Sequence, residues 1–187
     1  MFDPKKLAWM NGEYIKKIPV GEFRDMMVRS ALDEGSSSGS LGEYAVSLRS
    51  DLRSAAERIA WWDYLASQIQ VRTKFLNDIP AMVRCFVSDD FPFDEKAVEK
   101  RLKKPGVKEL LLDLVERFGK VADWTAPALE AVVKELSQGG GMGPWVHPVR
   151  VAVSGRGEGI GLFEMLQLLG RDVTLARLRM AAETKCE

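Results

Sequence analysis

Apolar residues recur along most of this chain at the spacing of one helical face. Leu129, Val132, Val133 and Leu136 stand at i, i+3, i+4 and i+7, the stripe that a 3.6-residue turn lays along one side of a helix. Leu110, Leu111, Leu114 and Phe118 make a second stripe, and Leu162, Phe163, Leu166 and Leu169 a third. Strict alternation, the mark of a half-buried strand, is nearly absent. Its best example is Val149-Arg150-Val151-Ala152-Val153, which is short and reads equally well as a buried helical turn. The pattern predicts an all-α chain of roughly ten helices.

Punctuation marks the ends of these elements. Asp94 can cap a helix running to about Lys103, with Pro105 opening the next. Thr125 can cap the helix that carries Pro127 in its first turn, and Gly139-Gly140-Gly141 ends it. Gly155 ends a following segment, and Gly170 separates the last two helices, with Asp172 as the next cap. Two breaks are larger. Gly35-Ser36-Ser37-Ser38-Gly39-Ser40 reads as a flexible loop between helices. Ser88-Asp89-Asp90-Phe91-Pro92 stops a long helical pattern, which places a boundary between two helical subdomains, 1–92 and 93–187. No internal repeat is visible.

Charge and composition narrow the function. The chain has 187 residues, 46% of them hydrophobic, enough to bury a core. Lys+Arg and Asp+Glu both number 27, so the formal net charge is zero. That excludes a general nucleic-acid coat, which would be strongly basic. Any RNA binding must come from a local patch and from readout of particular bases. Cys85 lies in an apolar stretch and Cys186 beside the C-terminus, with no CxxC. This reads as one core thiol and one tail thiol in a reducing compartment. No run approaches the ~18 apolar residues of a membrane helix, and the start, MFDPKKLAW, has no signal core. A cytoplasmic location without membrane contact is expected. The absence of a heptad pattern points to a monomer.

Catalytic constellations are missing. The one histidine, His147, stands beside Pro148 and reads as a structural or surface residue. There is no zinc cluster. The run Gly155-Arg156-Gly157-Glu158-Gly159-Ile160-Gly161 is neither GxGxxG nor a loop ending in GK[ST]. Its glycines read as a close-approach turn opening a helix over 160–169, whose free N–H groups could meet an RNA phosphate. No catalytic residue, metal site or cofactor is assigned within the chain.

Three stretches, taken in order, resemble the C-terminal region of bacterial-type glutamyl-tRNA synthetases. The first is Phe2-Asp3-Pro4-Lys5-Lys6-Leu7-Ala8-Trp9-Met10-Asn11-Gly12-Glu13-Tyr14-Ile15, similar to the family's FDxxKLxWxNGxYI. The second runs from Val71-Arg72-Thr73 through Val83-Arg84 to Asp89-Asp90-Phe91-Pro92. The third is Pro148-Val149-Arg150-Val151-Ala152-Val153-Ser154-Gly155, followed by Gly161-Leu162-Phe163-Glu164-Met165-Leu166-Gln167-Leu168-Leu169-Gly170, where the family reads PxRxAxTG and GLFExLxxLG. Asp123-Trp124-Thr125 resembles a family DWT segment between them. The likeness covers nearly the whole chain, with 30–65 its weakest part. The chain departs from the family at the Ser-rich loop and at Gly159-Ile160.

The resemblance implies an all-α, multihelical anticodon-binding cage of two helical subdomains that grips the unstacked anticodon of tRNA(Glu). It also implies a catalytic domain upstream of Met1. The whole enzyme, a class I aminoacyl-tRNA synthetase, would use ATP and Mg²⁺ to attach glutamate to tRNA. By position, Arg72 is the implied reader of the last anticodon base. Arginine carries only donors, cytosine offers acceptors on its pairing edge, and guanine offers donors. One well-placed arginine therefore selects cytosine by about 1–3 kcal/mol. Arg150, in PxRxA, is the second implied contact, with an ion pair to a carboxylate such as Glu164 as its structural alternative. Leu162 and Phe163 match positions lining the pocket for the first two anticodon bases, although both also belong to an apolar stripe, and Gly161 before them is a further implied anticodon contact.

Further tRNA contacts are expected at the surface. Trp9 either touches the tRNA stem or packs. Lys100 and Arg101, in a basic cluster with Lys103 and Lys104, form a solvated face or meet backbone phosphates. Of Trp61 and Trp62, one should face inward and the other outward or against a neighbouring helix. Two other readings remain open: a stand-alone helical module binding RNA or protein without catalysis, and a protein-interaction domain whose motifs are fortuitous.

Overall fold

The computed structural model describes residues 3–33, 51, 52 and 54–186. The Ser-rich segment 35–40 lies outside them. Among the described residues there are ten α-helices, one 3₁₀ turn and no strand. The chain divides into two compact units, Met1–Asp89 and Asp90–Glu187.

The first unit holds α1 (Pro4–Ile15), α2 (Val20–Asp33), α3 (Ala55–Gln70), a 3₁₀ turn (Leu76–Asp78) and α4 (Ile79–Val87). Asp3 opens α1 by accepting from the Lys5 amide at 2.9 Å, with Pro4 at the position where its missing N–H costs nothing. A capping box opens α3. The Glu57 amide donates to the Ser54 hydroxyl at 3.1 Å, and the Ser54 amide donates back to the Glu57 carboxylate at 2.8 Å. α2 packs on α3 and α4, burying Phe23, Met27, Leu65, Ile69, Ile79 and Val83. Gln70 is buried, and its Nε2 donates to the carbonyls of Ile15 and Ile18 at 2.8 and 2.7 Å. That one side chain satisfies the carboxyl end of α1 from the end of α3.

Trp61 and Trp62 are both buried, at 6% and 4% exposure, which excludes an outward-facing ring and leaves the alternative in which both pack inside the unit. Their rings meet edge to face, 5.0 Å apart at 83°. This geometry pairs the positive edge of one ring with the negative face of the other, which lets consecutive positions share one apolar site. Among the described residues, the Trp62 Nε1 has no partner.

The second unit holds α5 (Glu95–Arg101), α6 (Val107–Gly119), α7 (Ala126–Ser137), α8 (Gly143–Ser154), α9 (Leu162–Leu169) and α10 (Arg171–Thr184). α10 packs on α6, α8 and α9, while α9 also packs on α7. Leu111, Leu114, Phe118, Leu129, Leu166 and Leu178 form the core between them. The ambiguous run Val149–Val153 is the carboxyl half of α8. Val149, Val151, Ala152 and Val153 are all fully buried, and a helix surrounded on most sides loses its amphipathic period.

Asp94 caps α5, accepting from the amides of Lys96 and Ala97 at 2.8 and 3.1 Å. Two expected helix starts are displaced. Pro105 does not open α6; Gly106, at φ 81°, is its cap, and the helix begins at Val107. Asp172 does not cap α10; Gly170 does, and Asp172 sits in the first turn, where its charge favours the positive amino end. The DWT segment closes a corner. The Trp124 indole donates to the Leu166 carbonyl at 2.8 Å, and its ring meets Phe118 edge-on. The Arg171 guanidinium lies 5.4 Å from the Trp124 ring and donates to the carbonyls of Gly119, Val121 and Ala122. Among the described residues, no helix is long and apolar enough to cross a membrane.

Candidate nucleic-acid interface

The second unit gathers most of the residues singled out by sequence. α8 ends at Gly155, at φ 70°. A side chain there would run into the Pro92 carbonyl, and the Asp94 amide donates to the Gly155 carbonyl at 2.8 Å. The chain then loops out through exposed residues 156–159 and returns at buried Ile160. Arg150 holds this return, its Nη1 donating to the Ile160 carbonyl at 2.5 Å. Gly161 caps α9, and a Cβ at that position would collide with the Glu164 carboxylate. Behind it Leu162 is buried, at 4% exposure, while Phe163 is half-buried. The apolar stripe thus takes Leu162 into the core and leaves Phe163 on the rim.

A cleft of about 430 Å³ lies between α5, α6 and α8. Arg101 and Lys104 line it, with Gly106 and Val107 at the start of α6 and Gly143, Pro144 and His147 on the first turns of α8. None of its lining residues is acidic. Burial pushes the His147 pKa below its ordinary value of 6.5, and the charges of Arg101, Arg150 and Lys100 push it further the same way. His147 is thus neutral near pH 7, inside a positive field. Lys100 is exposed and Arg101 half-buried. Lys103, from the same basic run, pairs instead with Glu99 at 3.4 Å.

The sequence alone reads His147 as structural or as a surface residue, whereas the structure sets it in the wall of this cleft. His147 and Arg150 are i and i+3 on α8, hence neighbours on one helical face, but the cleft itself is made by residues remote in sequence. Arg101 ends α5, and Lys104 lies in the turn that follows it.

The other two predicted residues belong to the first unit. Arg72 follows the carboxyl end of α3, is exposed, and donates from Nη1 to the Gln68 carbonyl at 3.1 Å. Val71, Phe75 and Leu76 near it are exposed at 54%, 42% and 40%. Trp9 is 63% exposed on α1. Among the described residues, no group of three or more His, Cys, Asp or Glu side chains could hold a metal ion.

A family model described as an anticodon binding domain matches residues 27–182. The chain is 34% identical to the glutamate–tRNA ligase of Elusimicrobium minutum, over 98% of this chain and 34% of that protein. It is 36% identical to the glutamate–tRNA ligase of Frankia casuarinae, over 97% of this chain and 36% of that protein. A crystal structure of a glutamate tRNA ligase from Elizabethkingia meningosepticum, in complex with its amino acid, superposes with a TM-score of 0.73 at 20% identity. That match covers 98% of this chain and 33% of the other, and it shows a shared fold. The chain therefore spans about a third of the length of these relatives. By the match across residues 27–182, it belongs to the anticodon binding domain family.

Proposed function

We propose that this chain is the tRNA-selecting part of a cytoplasmic glutamate–tRNA ligase and recognises the anticodon of tRNA(Glu). The observation that carries this reading is the alignment of nearly the whole chain with glutamate–tRNA ligases. The whole enzyme would activate glutamate with ATP and Mg²⁺ in a catalytic domain outside these 187 residues. This part would supply selection.

Arg72 is the proposed reader of the last anticodon base. It is exposed, and of the five donors of a guanidinium one engages the Gln68 carbonyl. The planar fork suits the acceptor edge of cytosine and meets donors on guanine. Arg150, Gly161 and Phe163 border the glycine turn, where an unstacked base can lie against an aromatic ring and a guanidinium. Trp9 supplies an exposed ring for contact elsewhere on the tRNA.

The test is a binding titration at fixed low salt, with tRNA(Glu) and the same tRNA carrying guanine as its last anticodon base. The cytosine form should bind roughly 5–150-fold more tightly, the ratio that corresponds to about 1–3 kcal/mol. Arg72→Gln should erase the ratio. Equal binding of both tRNAs by the unaltered chain would remove Arg72 as the reader. No binding of either would turn the assignment towards a protein-interaction module.

A further inference from the structure

We propose that the cleft between α5, α6 and α8 is a phosphate site, and that its occupant is a phosphate group of bound RNA. The RNA part of this assignment rests on the function proposed above; the site itself does not. Two helix amino ends border the same cleft. Gly106 and Val107 begin α6, 13 residues long, and Gly143 and Pro144 begin α8, 12 residues long. Each helix presents about half a positive charge at that end; at α8 it acts through the dipole, since Pro144 has no N–H and the Trp145 and Val146 amides donate to the Met142 carbonyl. Arg101 and Lys104 add two full charges on the wall. Lys100 and Arg150 add to the field at His147. No carboxylate lines the cavity, although the chain carries as many acidic as basic residues. The volume of about 430 Å³ falls among ordinary ligand sites, so a ribose can enter with its phosphate.

His147 gives the site a second property. In the free chain it is kept neutral by burial and by the cations of Arg101, Arg150 and Lys100. Of the other elements, the α5–α6 turn contributes Lys104, and the α6 wall is Val107 and Leu110, which do not titrate. An arriving phosphate offsets the surrounding positive charge and can accept from the imidazole. The bound state then favours protonated His147, so binding of a phosphodiester, which keeps its charge across this range, takes up a proton and tightens as pH falls through the histidine range.

The chain has one histidine, so its imidazole NMR signals are unique. The experiment follows them through pH titrations with and without inorganic phosphate, at constant ionic strength set with chloride. A saturable shift and a rise of the His147 pKa by about one unit are expected. Arg101→Gln with Lys104→Gln should abolish both while circular dichroism shows the helices intact. Lys134→Gln, outside the cleft, should leave both in place. A third arm adds tRNA(Glu). Bound RNA should raise the His147 pKa in the same way and make it insensitive to inorganic phosphate. No response to phosphate, or an undiminished response in the double variant, would overturn the site. A phosphate response that persists in the RNA-bound chain would overturn the RNA assignment and leave a free phosphate compound as the occupant. A phosphate response without any tRNA binding would remove the proposed function, and the RNA occupant with it, while the anion site stood.

Discussion

The amide of Asp94 donates to the carbonyl of Gly155 at 2.8 Å, joining the cap of α5 to the cap of α8. The contact exists because Gly155 has no side chain. A Cβ there would enter the Pro92 carbonyl, and the backbone sits at φ 70°. Gly139 is also left-handed, at φ 82°, but a Cβ added there would meet nothing within 4 Å. Alanine at Gly139 should cost about 1 kcal/mol, the conformational term alone. Alanine at Gly155 adds overpacking and should cost roughly 2–4 kcal/mol in all. Urea denaturation of both variants checks the difference. Equal losses would mean that the approach to Pro92 relaxes freely.

Gln70 ties α1 to α3 through two carbonyls, those of Ile15 and Ile18. Gln70→Leu keeps the approximate bulk and removes both donors. The Ile15 carbonyl keeps the Ile18 amide as a donor at 3.1 Å, whereas the half-buried Ile18 carbonyl loses its amide partner, so a loss of roughly 1–3 kcal/mol is expected. Thermal unfolding gives the number. A neutral result would show that water replaces the amide at the end of α1.

Trp124 shows a motif residue whose role is structural. Its indole meets the Leu166 carbonyl and its face meets Arg171. Trp124→Phe should lose about 1–2 kcal/mol from the hydrogen bond and the cation–π contact together, measured by denaturation. RNA affinity of the folded fraction should be unchanged. A selective loss of RNA binding at full stability would move Trp124 into the interface.

The helices are legible in the sequence because each carries a stripe, a cap or a terminating glycine, as at Asp94, Leu129–Leu136 and Gly170. Val149–Val153 is ambiguous there because full burial erases periodicity. The placement of Trp61 and Trp62 is not legible, since nothing in a dipeptide announces that two rings can share one buried site edge to face. Pro105 and Asp172 are displaced as helix starts because a neighbouring glycine takes the cap. At the candidate interface, motif likeness points to Arg150 and Gly161, and the structure adds what joins them: the return of the chain at Ile160. His147 escapes sequence reading because a single histidine carries no pattern. Its neighbours from α5 and from the turn after it are remote in sequence, and only the packing of α5 on α8 brings them together.

That packing also sets how stability depends on pH. The folded His147 pKa lies below the ordinary 6.5, from burial first and then from Arg101, Arg150 and Lys100. The unfolded chain therefore binds this proton more readily than the folded one. Above about pH 6.5 both states are neutral at this position and the protein keeps its full stability. As pH falls from there to the folded pKa, the unfolded state is favoured progressively, and below the folded pKa the loss is complete. Urea midpoints between about pH 7.5 and 5.5, which bracket the ordinary histidine pKa, should decline for the unaltered chain more than for His147→Gln. That substitution removes this titration and leaves the carboxylates. Arg101→Gln should narrow the window by letting the folded pKa rise towards 6.5, and NMR of the one imidazole reads that rise directly. An imidazole that titrates at or above its ordinary value in the free chain would remove the positive field from the cleft, and with it the electrostatic basis for an anion there.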